Sequence, residues 1–76
     1  MDWQQFIERV PGVMLGKPIF RGTRITVEFV LERLAQGARP EELVQSHPQL
    51  TPEHVRAALA FALSSVRQDE LLTGTP

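Results

Sequence analysis

A series of helix start and stop signals in the second half of the sequence constrains the fold more than any other feature. A helix begins where a side-chain oxygen can accept hydrogen bonds from the unpaired amides of the first turn, and Thr26 and Thr51 offer such an oxygen. Gly37 and Pro48 are typical of helix ends. The pattern predicts three consecutive helices within residues 26–68.

Apolar spacing supports the first two helices. The first is predicted to begin at Thr26, with Glu28 in its first turn and Gly37 after its end. The second begins at Pro40, which suits the first helical position, and ends before Pro48 after barely two turns. The residues expected to face the core are Val27, Val30, Leu31, Leu34, Leu43 and Val44.

The third helix has the most regular apolar spacing, with Thr51 as its cap and Pro52 as its first residue. The face expected in the core comprises Val55, Ala58, Leu59, Ala62, Leu63 and Val66. The face expected in solvent comprises Glu53, His54, Arg56, Ala57 and Ala60. Phe61 falls on a second stripe, which either a partner or the N-terminal segment can cover.

The first 25 residues favour short extended pieces. Residues 6–10 fit either a strand or one helical turn, and residues 13–25 hold β-branched and aromatic side chains interrupted by glycine and proline. The predicted fold class is therefore mainly α, a three-helix bundle with a helix-turn-helix, preceded by a short β arm or hairpin. One domain spans residues 1–76: an N-terminal arm (1–25), the three-helix body (26–68) and a flexible tail (69–76).

Size and composition limit how the chain can be stabilised. A domain of 76 residues buries a smaller fraction of its surface than a larger domain does, roughly 60%, and the absence of cysteine excludes disulfides and thiolate metal sites. A second subunit would complete such a core, so we expect a homodimer or a higher oligomer. The N-terminus does not resemble a signal peptide and no apolar run is long enough to span a membrane, which indicates a cytoplasmic location.

The charges are distributed unevenly although the net charge is only −1. The interval between Glu8 and Glu28 contains no acidic residue. It contains four cations: Arg9, Lys17, Arg21 and Arg24. Such a segment either forms a local positive patch that binds phosphate or is simply a solvated loop.

The sequence offers no set of residues typical of catalysis. Its only histidines, His47 and His54, lie near predicted helix ends, and the glutamates suit helix first turns and exposed faces. Gly16-Lys17-Pro18 lacks the spaced glycines and the Gly-Lys-Ser/Thr ending of a phosphate-binding loop. We therefore expect no enzymatic activity, no cofactor and no metal.

The segment Arg21-Gly22-Thr23-Arg24 has residue types that suit an oxyanion. Glycine permits a tight backbone turn, the hydroxyl of Thr23 can donate a hydrogen bond, and two arginines can bind phosphate or carboxylate through paired donors. The alternative is structural, with an arginine binding a carboxylate or carbonyl groups of its own fold.

A helix-turn-helix places the first turns of its later helix in the major groove of DNA. Here those turns contain Thr51, His54 and Arg56, with Arg56 able to bind guanine or phosphate. On these residues alone, a three-helix bundle without a role in nucleic-acid binding fits equally well.

The segment Gly16–Ile25, followed by a helix ending at Gly37, then by Pro40-Glu41-Glu42-Leu43 and by residues 48–59, resembles a widespread family of small prokaryotic proteins. That family, long catalogued as a domain of unknown function, is usually described as an antitoxin with a homeodomain-like helix-turn-helix, often encoded beside a PIN-like ribonuclease toxin. This chain departs from the family pattern in having Leu15 in place of a glycine and Arg39 in place of a serine-like cap.

The resemblance implies a DNA-binding transcriptional regulator that also neutralises a toxin. The candidate DNA-binding residues are Lys17, Arg21, Thr23, Arg24, Arg39, Thr51, His54 and Arg56. The alternative is a protein-interaction module without DNA binding, which would bind a PIN-like toxin or another small partner. Its candidate partner-binding residues are Arg21, Arg24 and Phe61.

Overall fold

Three helices and a two-stranded antiparallel hairpin make up the fold. A computed structural model of the protein describes residues 1–73, and the side chains of residues 1–68. The elements are β1 Ile7–Glu8, β2 Ile19–Phe20, α1 Val27–Ala35, α2 Pro40–Ser46 and α3 Pro52–Thr73. The predicted fold class is confirmed: a mainly α three-helix bundle preceded by a short β hairpin.

Helix α1 begins and ends where its sequence signals predict. The side chain of Thr26 accepts a hydrogen bond of 3.0 Å from the backbone N–H of Phe29. Gly37 follows the helix in the left-handed region, with φ of 99°. The backbone N–H of Ala38 then bonds to the carbonyl of Arg33 at 3.0 Å, which pairs one of the last helical carbonyls.

Helix α2 begins with an unusual cap. The cap residue is Arg39, whose side chain has no acceptor for the amides of the first turn. The carboxylate of Glu42 instead accepts hydrogen bonds from the backbone N–H of Arg39 at 2.9 Å and from its Nε at 3.3 Å. The backbone hydrogen bond, followed by the guanidinium, lowers the pKa of Glu42 below its ordinary value.

The N-terminal segment packs into the body of the domain. Ile7, Ile19 and Phe20 of the hairpin are buried in the same core as Val27 and Val30 of α1. The backbone also ties the two parts together, because the N–H of Val27 donates to the carbonyl of Pro18 at 3.0 Å. Residues 7–25 therefore supply part of the core.

The predicted core face of α3 is wrong in part. Ala57, expected in solvent, is completely buried, whereas Leu59, Leu63 and Val66, expected in the core, are exposed by 49%, 49% and 53%. Val55 and Ala58 are buried as predicted. The helix is thus rotated so that two alanines, Ala57 and Ala58, lie in the core with Phe20 and Val30. Small side chains allow this close packing, because bulky Phe20 and Val30 already fill the core.

The C-terminal part of α3 extends past the predicted end of the body at residue 68 and continues to Thr73. The predicted flexible tail, residues 69–76, lies outside the residues whose side chains the structure describes. Among the described helices, none is both long enough and apolar enough to cross a membrane.

Candidate nucleic-acid interface

Arg21, a residue of the basic segment, is paired with other groups of its own fold. Its Nη1 lies 3.0 Å from the carboxylate of Glu8, and its Nε and Nη2 donate to the backbone carbonyl of Gln4 at 3.3 and 3.0 Å. Both partners precede or belong to β1, whereas Arg21 follows β2. The guanidinium therefore holds the two ends of the N-terminal segment together.

Two further candidate DNA-binding cations form ion pairs on the surface. Lys17 Nζ lies 3.0 Å from the carboxylate of Glu28 in the first turn of α1, and both side chains are about half-exposed or more. Arg39 bonds to Glu42 as described above. Exposed pairs of this kind contribute little to stability, but they lower the positive charge available to a phosphate.

Thr23 takes part in the turn that leads from β2 to α1. Its hydroxyl donates to the carbonyl of Phe20 at 2.8 Å and accepts from the backbone N–H of Ile25 at 3.0 Å. The preceding Gly22 has φ of 76°, which side chains with a Cβ rarely adopt. The Gly-Thr pair of the motif thus builds a compact turn.

Arg24 stands at the tip of this turn and is exposed. Among the side chains that the structure describes, it has neither an ion-pair partner nor a hydrogen-bond partner. It borders two surface grooves, one shared with Gln49 and the other with His47. Both residues lie in the connection between α2 and α3, so the turn of the basic segment places a cation beside the turn of the helix-turn-helix.

Sequence reasoning missed Gln49 and His47 as neighbours of Arg24. Separations of more than 20 positions leave no periodic signal, and only the packing of the hairpin against the helices brings these residues together. The side chain of His47 lies edge-on to Phe29, with ring centroids 5.1 Å apart, and its buried Nδ1 has no hydrogen-bond partner.

The first turn of α3 contains a local capping interaction. The backbone N–H of Thr51 donates to His54 Nδ1 at 3.0 Å, and the backbone N–H of His54 donates to the Thr51 hydroxyl at 3.4 Å. The ring of His54 also lies edge-on to Phe6 and Phe20, at centroid distances of 5.5 and 5.3 Å. These two candidate DNA-binding side chains therefore cap α3 and join it to the hairpin.

Arg56 is the remaining candidate on α3. It is exposed, as is Glu53 one turn earlier. Farther along α3, three large apolar side chains are also exposed. Leu59, Leu63 and Val66 form a row that we call the α3 stripe.

The loop before β2 contains an exposed, strained leucine. Met14, Leu15 and Gly16 all have positive φ, at 48°, 59° and 73°. A left-handed conformation costs a residue with a Cβ about 1–2 kcal/mol, which explains why glycine suits position 15. Leu15 is nevertheless 92% exposed, and Met14 borders a groove with Arg24 and Phe29.

The candidate partner-binding residue on α3, Phe61, is half-buried. Its ring meets the ring of Trp3 edge-on, with centroids 5.0 Å apart. The N-terminal turn Trp3–Gln5 therefore covers part of the second stripe of α3.

A family model described as "Protein of unknown function (DUF433)" matches residues 7–62, which include the hairpin, α1, α2 and the first half of α3. The chain belongs to the DUF433 family. The match includes the Gly16–Ile25 segment and the connection beside Arg24.

Two further proteins are similar to this chain, and one of them is a DUF433 member. A crystal structure of a DUF433 member from Anabaena variabilis ATCC 29413 superposes with a TM-score of 0.78 at 35% identity and covers 86% of this chain. An uncharacterized protein of Sinorhizobium fredii, y4eO, is 30% identical over 59 residues, or 78% of this chain. The present chain spans 64% of the first protein and 27% of the second.

Proposed function

We propose that this DUF433 protein is a non-catalytic, DNA-binding transcriptional regulator that acts as an antitoxin. The observation that carries the DNA-binding part is the position of Arg24 beside the connection between α2 and α3. In helix-turn-helix proteins the helix before this connection crosses the phosphate backbone, while the first turns of the later helix approach the bases. An arginine there provides paired donors for phosphate.

The proposal reduces the DNA-contacting cations to Arg24 and Arg56. Lys17, Arg21 and Arg39 remain in their ion pairs and support the fold, since moving them to phosphate would leave three carboxylates unpaired near DNA. Arg24 is expected to bind backbone phosphate. Arg56, on the second turn of α3, is expected to contact either phosphate or a guanine edge.

The direct test is a gel-shift titration with the DNA upstream of the gene itself. Arg24→Ala should weaken binding by about 5- to 30-fold, the effect of losing one or two charge-assisted hydrogen bonds. Lys17→Ala is a matched control, because it removes one positive charge from the same segment but from an existing ion pair. An equal loss of DNA affinity in the two variants would indicate a general charge effect and contradict the proposed phosphate contact of Arg24.

A specific observation favours toxin binding as the second activity. Leu15 is exposed at a strained position, and Met14, Phe29 and Arg24 border the neighbouring groove. An exposed apolar group beside an arginine suits a protein surface with an apolar pocket and carboxylates. The metal-binding acidic cluster of a PIN-like nuclease would provide the carboxylates.

Co-expression with the product of the neighbouring gene tests this activity. If the surface around Leu15 and Arg24 binds that protein, Leu15→Ser and Arg24→Ala should each release it in a pull-down, whereas Lys17→Ala should not. Undiminished capture by both Leu15→Ser and Arg24→Ala would refute toxin binding through this surface. Because the side chain of Leu15 has neither a charge nor a hydrogen-bond donor for phosphate, Leu15→Ser should leave DNA affinity unchanged.

A further inference from the structure

The α3 stripe is an apolar surface that the described part of the chain leaves uncovered. Its members Leu59, Leu63 and Val66 are each about half-exposed, and they are separated by four and three positions. Residues at these separations lie in one row along a helix. Alternating separations of three and four are also the spacing with which two helices pack in a coiled coil.

We propose that α3 pairs antiparallel with α3 of a second copy of this chain, with the α3 stripe as the seam of a homodimer. The proposal does not depend on DNA binding. Leu59 of each copy lies opposite Leu63 of the other, so the two leucines of both chains form the centre of the contact. The arrangement is self-complementary, as a twofold contact requires.

The charges beside the stripe determine the direction of pairing. Glu53 and Arg67 are both exposed and lie 14 positions apart, two heptads, on the same flank of the stripe. They are about 21 Å apart along the helix. When Leu59 lies opposite Leu63, Glu53 of each copy comes close to Arg67 of the other. Parallel pairing would instead place these residues of the two copies on opposite sides of the seam, so that neither ion pair could form.

The same register brings Arg56 to the edge of the seam. It lies opposite Val66 of the second copy, so its aliphatic stem can cover the valine while the guanidinium stays in water. Arg56 therefore lengthens the apolar contact at both ends. Its charged group is still available to phosphate, and the dimer is compatible with the proposed DNA contact.

The N-terminal residues extend the apolar surface. Met1 is 61% exposed and borders a groove with Trp3, Ala60 and Leu63. A helix pair alone buries a modest area, and stable interfaces bury at least about 1,200 Å² in total. The side chains of Met1 and Trp3 add to the contact on both sides of the seam. The leucines of the α3 stripe and Met1 also make a protein partner a better fit than nucleic acid, because leucine and methionine offer no donors to bases.

Sedimentation equilibrium of the full chain tests the seam. The wild type should be a dimer, and Leu63→Glu should raise the dissociation constant about 100-fold or more, because the carboxylate of each copy would be buried against Leu59 of the other. Leu59→Glu should have the same effect. Leu15→Glu is the matched control, since it makes the same change at a more exposed leucine outside α3 and should leave the dimer intact. Circular dichroism checks that each variant keeps its helices.

A monomeric wild type at hundreds of micromolar, or a dimer that survives both Leu63→Glu and Leu59→Glu, would overturn the proposal. Charge reversal then tests the direction. Glu53→Arg and Arg67→Glu should each weaken the dimer, and the two changes together should restore it. If the double variant dimerises no better than the single variants, the antiparallel register is wrong.

Discussion

The guanidinium of Arg21 lies 3.0 Å from the carboxylate of Glu8 and also donates two hydrogen bonds to the carbonyl of Gln4. These contacts join residues 13 and 17 positions apart. The only regular pairing in the hairpin is two residues per strand, which is too short to be stable by itself. Arg21 therefore acts as a clamp that holds the hairpin closed.

Arg21→Ala should lower the free energy of unfolding by about 1–2 kcal/mol, because it removes one ion pair and two charge-assisted hydrogen bonds at a half-exposed site. Urea denaturation followed by circular dichroism measures the change. Lys17→Ala, which removes a more exposed pair, should stay within about 0.5 kcal/mol of the wild type. A loss for Lys17→Ala as large as that for Arg21→Ala would show that Arg21 has no special structural role.

Leu15→Gly should stabilise the protein. Glycine adopts the left-handed conformation at position 15 without the Cβ clash, a gain partly offset by its greater freedom in the unfolded chain, so the net gain should be about 0.5–1 kcal/mol. Leu15→Ala keeps the Cβ and should leave stability almost unchanged. Thermal unfolding of the three proteins provides the comparison, and a lower melting temperature for Leu15→Gly would contradict the strained geometry.

A pair of substitutions tests the rotation of α3. Ala57→Leu should destabilise the fold by about 1–3 kcal/mol because a completely buried position cannot accept three more carbon atoms without strain. Leu59→Ala should cost less than about 1 kcal/mol at protein concentrations where the chain is monomeric. Chemical denaturation measures both. If Leu59→Ala cost more stability than Ala57→Leu, the result would support the helix orientation expected from the sequence and contradict the rotation.

The helix boundaries follow from local chemistry and could be predicted from the sequence. Thr26 and Gly37 act within a few residues of their own positions, so their roles are visible in a linear pattern. The orientation of α3 was not predictable in this way. Its sequence contains two apolar faces, one rich in leucine and one rich in alanine, and a hydrophobicity argument favours the leucines. Because Phe20 and Val30 already fill the core, the space left beside them accepts the small alanines and not the leucines.

The candidate site was only partly predictable for a similar reason. The basic segment identified the right stretch of chain, but its charges could not show which arginine would find a carboxylate in the fold. Arg21 meets Glu8 because the strands pair, whereas Arg24 borders a groove beside the connection between α2 and α3 because the hairpin packs against the helices. Both outcomes depend on contacts between distant residues.

The lowered pKa of Glu42 predicts a pH dependence for the start of α2. A carboxyl group whose pKa is lower in the folded than in the unfolded state adds stability above its unfolded pKa and loses that stability as the pH falls through its folded pKa. Glu42→Gln should therefore be less stable than the wild type at neutral pH. The difference in melting temperature should shrink on acidification and vanish once Glu42 is protonated. A difference that does not depend on pH would contradict the ionic contribution.

The most direct test of DNA binding is the salt dependence of affinity for the DNA upstream of the gene, measured by fluorescence anisotropy. The phosphate contact of Arg24 predicts a slope of log K against log salt of about −0.9 per chain, and a phosphate contact of Arg56 in place of a base contact would bring the slope to about −1.8. Arg24→Ala should reduce the slope by about 0.9, and Lys17→Ala should leave it unchanged. Absence of binding at low salt, or a slope that Arg24→Ala does not alter, would contradict the proposed interface.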